Sequence, residues 1–300
     1  MRFTFAKENK VFIFEKFFTF SLLLLMLFKL SPDQVLTAFI ILGQAHFILA
    51  YLYQIKAGKA TFRNIALFSL CMPIFYIAAV TYPMQFLILT AAWGVFHINI
   101  SEVRFQKRKM NPGYFCLMVA IMLISSCWIA NNFPNVHIPV DRVCYLTLLA
   151  GIPAGIWYFV KAKKPLSIEA YAVFLVIVLL VYIGIGLSGV QPSAAKVFAI
   201  PNIMHYITFY AATARRFYRE DKEKMFLFLS EVTFINLCMA AGYFALMWGL
   251  WSNKTLYTFW YAPTAFYAWS FMHAAATFKP RDYAGSLNLR FLDSSGVSKV

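Results

Sequence analysis

The stretch Gln34–Tyr53, QVLTAFIILGQAHFILAYLY, decides the fold class of this chain. Its 20 residues include no Lys, Arg, Asp or Glu. A helix rises about 1.5 Å per residue, so a run of this length crosses a hydrocarbon core of roughly 30 Å. The run is continuously apolar and lacks the alternation of a transmembrane β-strand. It therefore predicts a membrane-spanning α-helix with one histidine, His46, in its interior.

Similar apolar runs recur along the chain, and we predict about ten spans, of which Gln34–Tyr53 is the second. The others lie near Glu15–Leu30, Ile65–Val80, Met84–Ser101, Gly113–Ala130, Val143–Val160, Ser167–Ser188, Ala194–Ala214, Phe226–Trp251 and Leu256–Phe278. The composition agrees, because 61% of the residues are hydrophobic and only 13% are charged, against about a quarter charged in soluble domains. We therefore expect an all-α, polytopic transmembrane helix bundle that forms one domain over residues 1–280, followed by a polar cytoplasmic tail over residues 281–300.

The net charge of +15 follows membrane topology and does not indicate nucleic-acid binding. All but four of the 27 Lys and Arg residues lie near the termini or in loops after even-numbered spans. The exceptions are Lys29, Arg142, Lys196 and Lys254. By the positive-inside rule, both termini are cytoplasmic and the chain is a multi-pass protein of a bacterial-type inner membrane, with lipid as its constant partner. The first run lacks a small-residue cleavage site before Pro32, which favours a retained helix over a signal peptide.

Four of the five histidines lie inside predicted spans, and all four spans are even-numbered: His46, His97, His205 and His273. Each stands 6 to 10 residues before the first basic residue of the following loop. At about 1.5 Å per residue, all four lie roughly 9–15 Å from the cytoplasmic ends of their helices, in one layer about 6 Å thick. A single intramembrane histidine is often only an interhelical hydrogen-bond partner. Four at one depth predict a shared site for a metal or a haem.

The donor set narrows the kind of site. Neutral imidazole suits iron, copper and zinc, and the sequence has no cysteine zinc pattern and no HExxH motif. The ligands must then come from separate helices. Two arrangements fit: one non-haem iron held by four imidazoles with positions open for oxygen, or one or two haems with paired axial histidines.

Local patterns around the histidines repeat. A-W-x-x-x-H occurs at residues 92–97 and 268–273, and H-aromatic-I-x-x-Y occurs at residues 46–51 and 205–210. The matches predict an internal duplication of spans two to four in spans eight to ten, unless they arise by chance from the 19% aromatic content. Trp93 and Trp269 each lie four residues before a histidine, so each indole is a candidate wall of a cofactor site.

Three polar residues are candidate partners of this layer. Asn202 lies three residues before His205 and shares its helix face, where it could orient the ligand. Glu231, in the ninth span, could accept an imidazole N–H or transfer a proton, and Glu102 is the second candidate catalytic carboxylate. Placement at the membrane interface is the alternative for both glutamates.

Three segments resemble the Brp/Blh family of membrane β-carotene dioxygenases. They are Ile41–His46 (ILGQAH), Phe96–Glu102 (FHINISE) and His205–Tyr210 (HYITFY), the last followed by Arg215 and Arg216. The resemblance implies that His46, His97 and His205 bind iron and that oxygen adds across a polyene double bond. Phe209 stands where the family has a further histidine, and His273 is our candidate for the fourth ligand.

Three functions therefore stay open. The first is a non-haem iron oxygenase acting on a lipophilic, carotenoid-like substrate. The second is a haem-binding electron carrier or haem-modifying protein, whose histidine layout on even-numbered helices is similar to that of haem A synthases. The third is a transporter or assembly factor in which the histidines serve packing or proton relay.

Overall fold

A computed structural model describes residues 9–58, 61–105, 112–161, 170–250 and 254–276. These residues form helices joined by short turns and contain no strand, which confirms the predicted all-α class. The helices are α1 (Asn9–Lys29), α2 (Pro32–Lys56), α3 (Phe62–Ser69), α4 (Met72–Thr81), α5 (Pro83–Phe105), α6 (Pro112–Ala130), α7 (Val140–Lys161), α8 (Ala170–Leu187), α9 (Ala194–Glu220), α10 (Lys222–Met247), α11 (Lys254–Leu256), which continues as a π-helical turn over Tyr257–Tyr261, and α12 (Pro263–Ala276). The predicted tail at residues 281–300 lies outside the described residues.

The start of α2 is fixed by its first residues. The Ser31 hydroxyl accepts a hydrogen bond from the Gln34 amide at 3.2 Å, and the Gln34 side chain accepts one from the Ser31 amide at 2.9 Å. This reciprocal cap satisfies amides that have no partner within the helix. Pro32 supplies the fixed φ that suits a first helical turn. The cap therefore sets where the run that carries His46 begins.

Two predicted spans are interrupted where the sequence analysis expected continuous helices. The third divides into α3 and α4 at Leu70 and Cys71, just before Pro73. In the tenth, Ala262 is extended, with φ −61° and ψ 139°, and separates the π-helical turn from α12. Proline has no N–H to donate, so Pro73 cannot continue the hydrogen bonds of α3 into α4. Proline also disfavours helical backbone in the residue before it, which explains the extended Ala262 before Pro263.

The surface of the bundle exposes apolar side chains, as expected of a membrane protein. Among the residues that the structure describes, four helical segments are long and apolar enough to cross a bilayer: Pro32–Lys56, Phe62–Thr81, Pro83–Ser101 and Lys222–Met247. The last of these, α10, is mostly unburied and exposes large apolar side chains such as Phe234 and Leu237. A long apolar helix with so little burial is stable in lipid and unfavourable in water.

The helices that carry the histidines form a closed ring. α2 packs against α9, α9 against α5, α5 against α12, and α12 against α2. Around this ring, α10 covers α2 and α9, whereas α4 covers α12 and α5. Four interior faces therefore meet at one place in the bundle, and no two of them are adjacent in sequence.

A glycine permits the close approach of α2 and α12. A Cβ at Gly43 would lie 2.4 Å from Cζ of Phe266 and 3.0 Å from the hydroxyl oxygen of Tyr206. Phe266 is fully buried, so its ring has little room to move away. Because Gly43 lies three residues before His46 on α2, this contact sets how near the α12 backbone comes to the histidine layer.

Candidate functional site

The four predicted histidines meet in the interior of the helix ring. The ring centroid of His46 lies 5.1 Å from that of His205 and 5.0 Å from that of His273. The centroid of His97 lies 5.1 Å from that of His205 and 5.4 Å from that of His273. The imidazoles thus form a closed four-membered arrangement in which each helix contributes one ring. The structure brings together all four residues that the sequence analysis singled out as ligands.

All four side chains are enclosed, with exposed fractions of 1% for His46, 8% for His97, 3% for His205 and 4% for His273. Both ring nitrogens of His46 are buried and form no hydrogen bond with the described residues. A buried polar atom without a partner costs about 1–3 kcal/mol. His46 is therefore poorly satisfied by the protein alone, as expected of a side chain whose partner is a ligand.

Aromatic rings enclose His46 on two sides. Tyr206 stacks on it, with centroids 4.6 Å apart and planes at 27°, and Phe209 meets it edge-on at 4.8 Å. His273 is supported in the same way by Phe47, which stacks on it at 4.6 Å. These contacts restrict rotation of the imidazoles and keep lipid away from them.

The four imidazoles stand edge to face, with interplanar angles of 73° to 83°. Across the described ranges, no three His, Cys, Asp or Glu side chains direct their ligand atoms at a common point suited to a metal ion. The distances between the imidazole centroids nevertheless suit a single metal ion. Around one ion with metal–nitrogen bonds of about 2.0–2.1 Å, neighbouring imidazole centroids lie roughly 5 Å apart. An ion bound by all four histidines therefore requires some of these ring orientations to differ from those described.

A cavity of about 20 Å³ lies against the histidine layer. This is room for about one water-sized molecule. Its lining includes His97, His205 and His273 and three short polar side chains, Thr90, Asn202 and Ser270. Asn202 was predicted as a neighbour of His205, whereas Thr90 and Ser270 were not singled out.

Several residues of the cavity follow a sequence pattern that was not predicted. The position three before each histidine holds a glycine or a short polar residue: Gly43, Gly94, Asn202 and Ser270. Residues three apart share a helix face, so small side chains at these positions leave space on one side of the imidazoles. Three of these four positions line the cavity.

The two tryptophans have defined packing partners. Trp93 stacks on Phe96 at 5.9 Å and contacts Phe271 at 6.4 Å. The indole N–H of Trp269 donates to the Phe259 carbonyl at 3.0 Å, and its ring packs against Trp260 at 5.0 Å. Trp269 thus anchors α12 to the π-helical turn.

The structure describes the side chain of Glu231, one of the two predicted carboxylates. Glu231 accepts a hydrogen bond from the Tyr53 hydroxyl at 2.6 Å and forms an ion pair with Lys56. No imidazole is among its partners in the described part of the chain. Glu102 falls in α5, and its side chain lies outside those that the structure describes. Glu231 therefore links α2 to α10 near the end of α2 that carries Lys56.

Comparison of this chain with protein-family models, with curated proteins and with solved structures finds no match.

Proposed function

We propose that this chain is a membrane metalloprotein in which His46, His97, His205 and His273 bind one metal ion. The observation that supports the proposal is the closed arrangement of four buried imidazoles with centroids 5.0–5.4 Å apart. The donor set fits a transition metal, since neutral imidazole is the commonest protein ligand of such ions. His46 has a buried ring nitrogen without a hydrogen bond that is available as its ligand atom.

A bare ion agrees with this geometry better than a haem does. A haem with paired axial histidines requires a slot as wide as the porphyrin between two imidazoles. The cavity at the layer holds about 20 Å³, and neighbouring imidazoles are in ring contact. Iron is the ion we favour, because zinc is commonly complete with four ligands, whereas the cavity leaves room for a further one.

The proposed activity is oxygenation of a lipophilic, carotenoid-like substrate. Bound iron with open positions supplies the capacity to react with dioxygen. The protein contributes enclosure: Tyr206, Phe209 and Phe47 surround the imidazoles and exclude bulk water. The resemblance of the three histidine segments to the Brp/Blh family motivates the choice of substrate.

The proposed setting is a bacterial-type inner membrane, crossed about ten times, with both termini in the cytoplasm. The support is the distribution of Lys and Arg, which places the loops after even-numbered spans on the cytoplasmic side. The described helices match the predicted spans closely in position, apart from the two breaks. In this orientation the histidine layer lies in the cytoplasmic half of the bilayer.

Metal analysis and a visible spectrum of the purified protein test the metal proposal. We expect about one iron per chain and no Soret band. A Soret band with bis-imidazole features would establish the haem alternative instead. If the protein contains no metal, and if His46→Ala and His205→Ala both fold and keep their activity, the transporter or assembly role is the remaining candidate. His137→Ala is the matched control, since His137 lies in an exposed loop.

The substrate is tested separately by expression in a carotenoid-producing host. We expect loss of pigment and appearance of an apocarotenal with the intact protein, and unchanged pigment with His46→Ala. Unchanged pigment with a metal-loaded, intact protein would overturn the carotenoid assignment and leave the metal site standing.

A further inference from the structure

We infer that the cavity beside the histidine layer binds one water molecule, which donates its two hydrogens to acceptor oxygens among those of Thr90, Asn202 and Ser270. The inference rests on the proposed metal site, because three of the four histidines line the same cavity. The inference concerns which small ligand lies beside the proposed metal.

The two hydroxyl groups have already used their hydrogens. Oγ1 of Thr90 donates to the Phe86 carbonyl at 2.7 Å, and Oγ of Ser270 donates to the Phe266 carbonyl at 2.9 Å. Both acceptors lie four residues earlier on the same helix. A hydroxyl that bonds to its own helix in this way retains lone pairs for a second partner. Thr90 and Ser270 therefore offer acceptors to whatever occupies the cavity.

The amide of Asn202 also has an acceptor oxygen available. Its Nδ2 donates to the Phe198 carbonyl at 2.6 Å, which assigns the other end of the amide to oxygen, because a carbonyl accepts only from the NH₂ group. A Cβ placed on Gly94 would lie 3.7 Å from Oδ1 of Asn202. Gly94 lines the cavity, so this oxygen faces it.

Three residues with acceptor oxygens, each from a different helix, thus line a space of about 20 Å³. Water donates two hydrogen bonds, accepts from others, and fills about this volume. The cavity therefore suits one water molecule, which also lies against the three imidazoles that line it.

Pulsed EPR of the full-length protein loaded with Cu(II) tests this inference and the metal site together. Nitrogen modulation from the remote ring nitrogens reports imidazole ligation. Deuterium modulation after exchange into D₂O reports water near the ion. Gly94→Ala removes no exchangeable hydrogen, so its difference from the wild type reports the water, whereas Asn202→Leu also removes the two amide hydrogens of Asn202.

The variant Gly94→Ala places a methyl group in the cavity at an ordinary contact distance. Gly151→Ala is its matched control, because a Cβ at Gly151 meets nothing within 4 Å. Asn202→Leu removes the amide acceptor by a second route. We expect the deuterium modulation to fall by at least half in Gly94→Ala and in Asn202→Leu and to be retained in Gly151→Ala, with nitrogen modulation in all of them.

Equal deuterium modulation in the wild type, Gly94→Ala and Asn202→Leu would overturn the water site while leaving the metal site intact. Absence of nitrogen modulation in the wild type would overturn the metal site and this inference with it.

Discussion

The phenol ring of Tyr206 lies nearly parallel to the imidazole of His46, with centroids 4.6 Å apart and planes at 27°. The two residues belong to different helices, α9 and α2, and both are almost completely buried. The stack therefore couples the orientation of a proposed ligand to the packing of a neighbouring helix. It supplies the first prediction.

Replacing Tyr206 with Leu should weaken metal binding, whereas replacing it with Phe should not. Aromatic pairs contribute about 0.5–1.5 kcal/mol beyond burial, which corresponds to roughly a two- to tenfold loss of affinity. Tyr206→Phe keeps the ring and serves as the control. Competition with a chelator measures the affinity, and equal affinities for the Leu and Phe variants would show that the stack does not hold His46 in place.

Gly43→Ala should destabilise the bundle. The added methyl would lie within 2.4 Å of the buried Phe266 ring, so the α2–α12 approach must widen. Overpacking of this kind costs about 1–3 kcal/mol. Unfolding in detergent micelles, followed by circular dichroism, should show a lower midpoint for Gly43→Ala. Gly151→Ala should unfold at or slightly above the wild-type midpoint, because alanine is the better helix former. A wild-type midpoint for Gly43→Ala would contradict the described approach.

Glu231→Gln should leave the metal content unchanged. Its carboxylate pairs with Lys56 and Tyr53, and the side-chain exposures of Lys56 and Glu231 are 40% and 22%. Pairs with this much solvent contact contribute about 0–1 kcal/mol to stability. Metal analysis and micelle unfolding should therefore show at most a small loss of stability. Loss of metal in Glu231→Gln, comparable to that in His46→Ala, would instead connect Glu231 to the histidine layer.

Fusions to alkaline phosphatase should reveal the proposed orientation. The enzyme is active only outside the cytoplasm, so a fusion after His137 should be active and a fusion after Gly58 should be inactive. A fluorescent protein fused after Val300 should fluoresce. Activity at Gly58 together with inactivity at His137 would invert the topology and move the histidine layer to the other half of the membrane.

The histidine layer was predictable because helix rise converts sequence position into depth. Counting from each histidine to the next basic loop is sufficient to place His46, His97, His205 and His273 at one level. The closure of the ring was not predictable in this way. It depends on which helix faces meet, and those faces are set by contacts between distant segments, such as that of Gly43 with Phe266.

Other features depend on local interactions that the pattern of apolar residues does not reveal. The breaks at Cys71 and Ala262 follow from proline chemistry, but long apolar runs conceal them. The hydrogen bond from the Trp269 indole N–H to the Phe259 carbonyl was not predicted, because spacing along one helix does not show a contact with another segment. The stacking roles of Tyr206 and Phe47 were not identified, since the chain is rich in aromatic residues and spacing alone does not single these two out.

X-ray absorption at the edge of the bound metal shows directly whether the four histidines bind one ion. The protein is purified from cells grown with iron, and the fine structure gives the type and number of ligands around the ion. The four-histidine site predicts about four imidazole ligands with metal–nitrogen distances of roughly 2.0–2.2 Å, falling by one in His273→Ala and unchanged in His137→Ala. Fewer than three imidazoles in the wild type, sulfur ligands, or no metal above the level of the His46→Ala variant would contradict it.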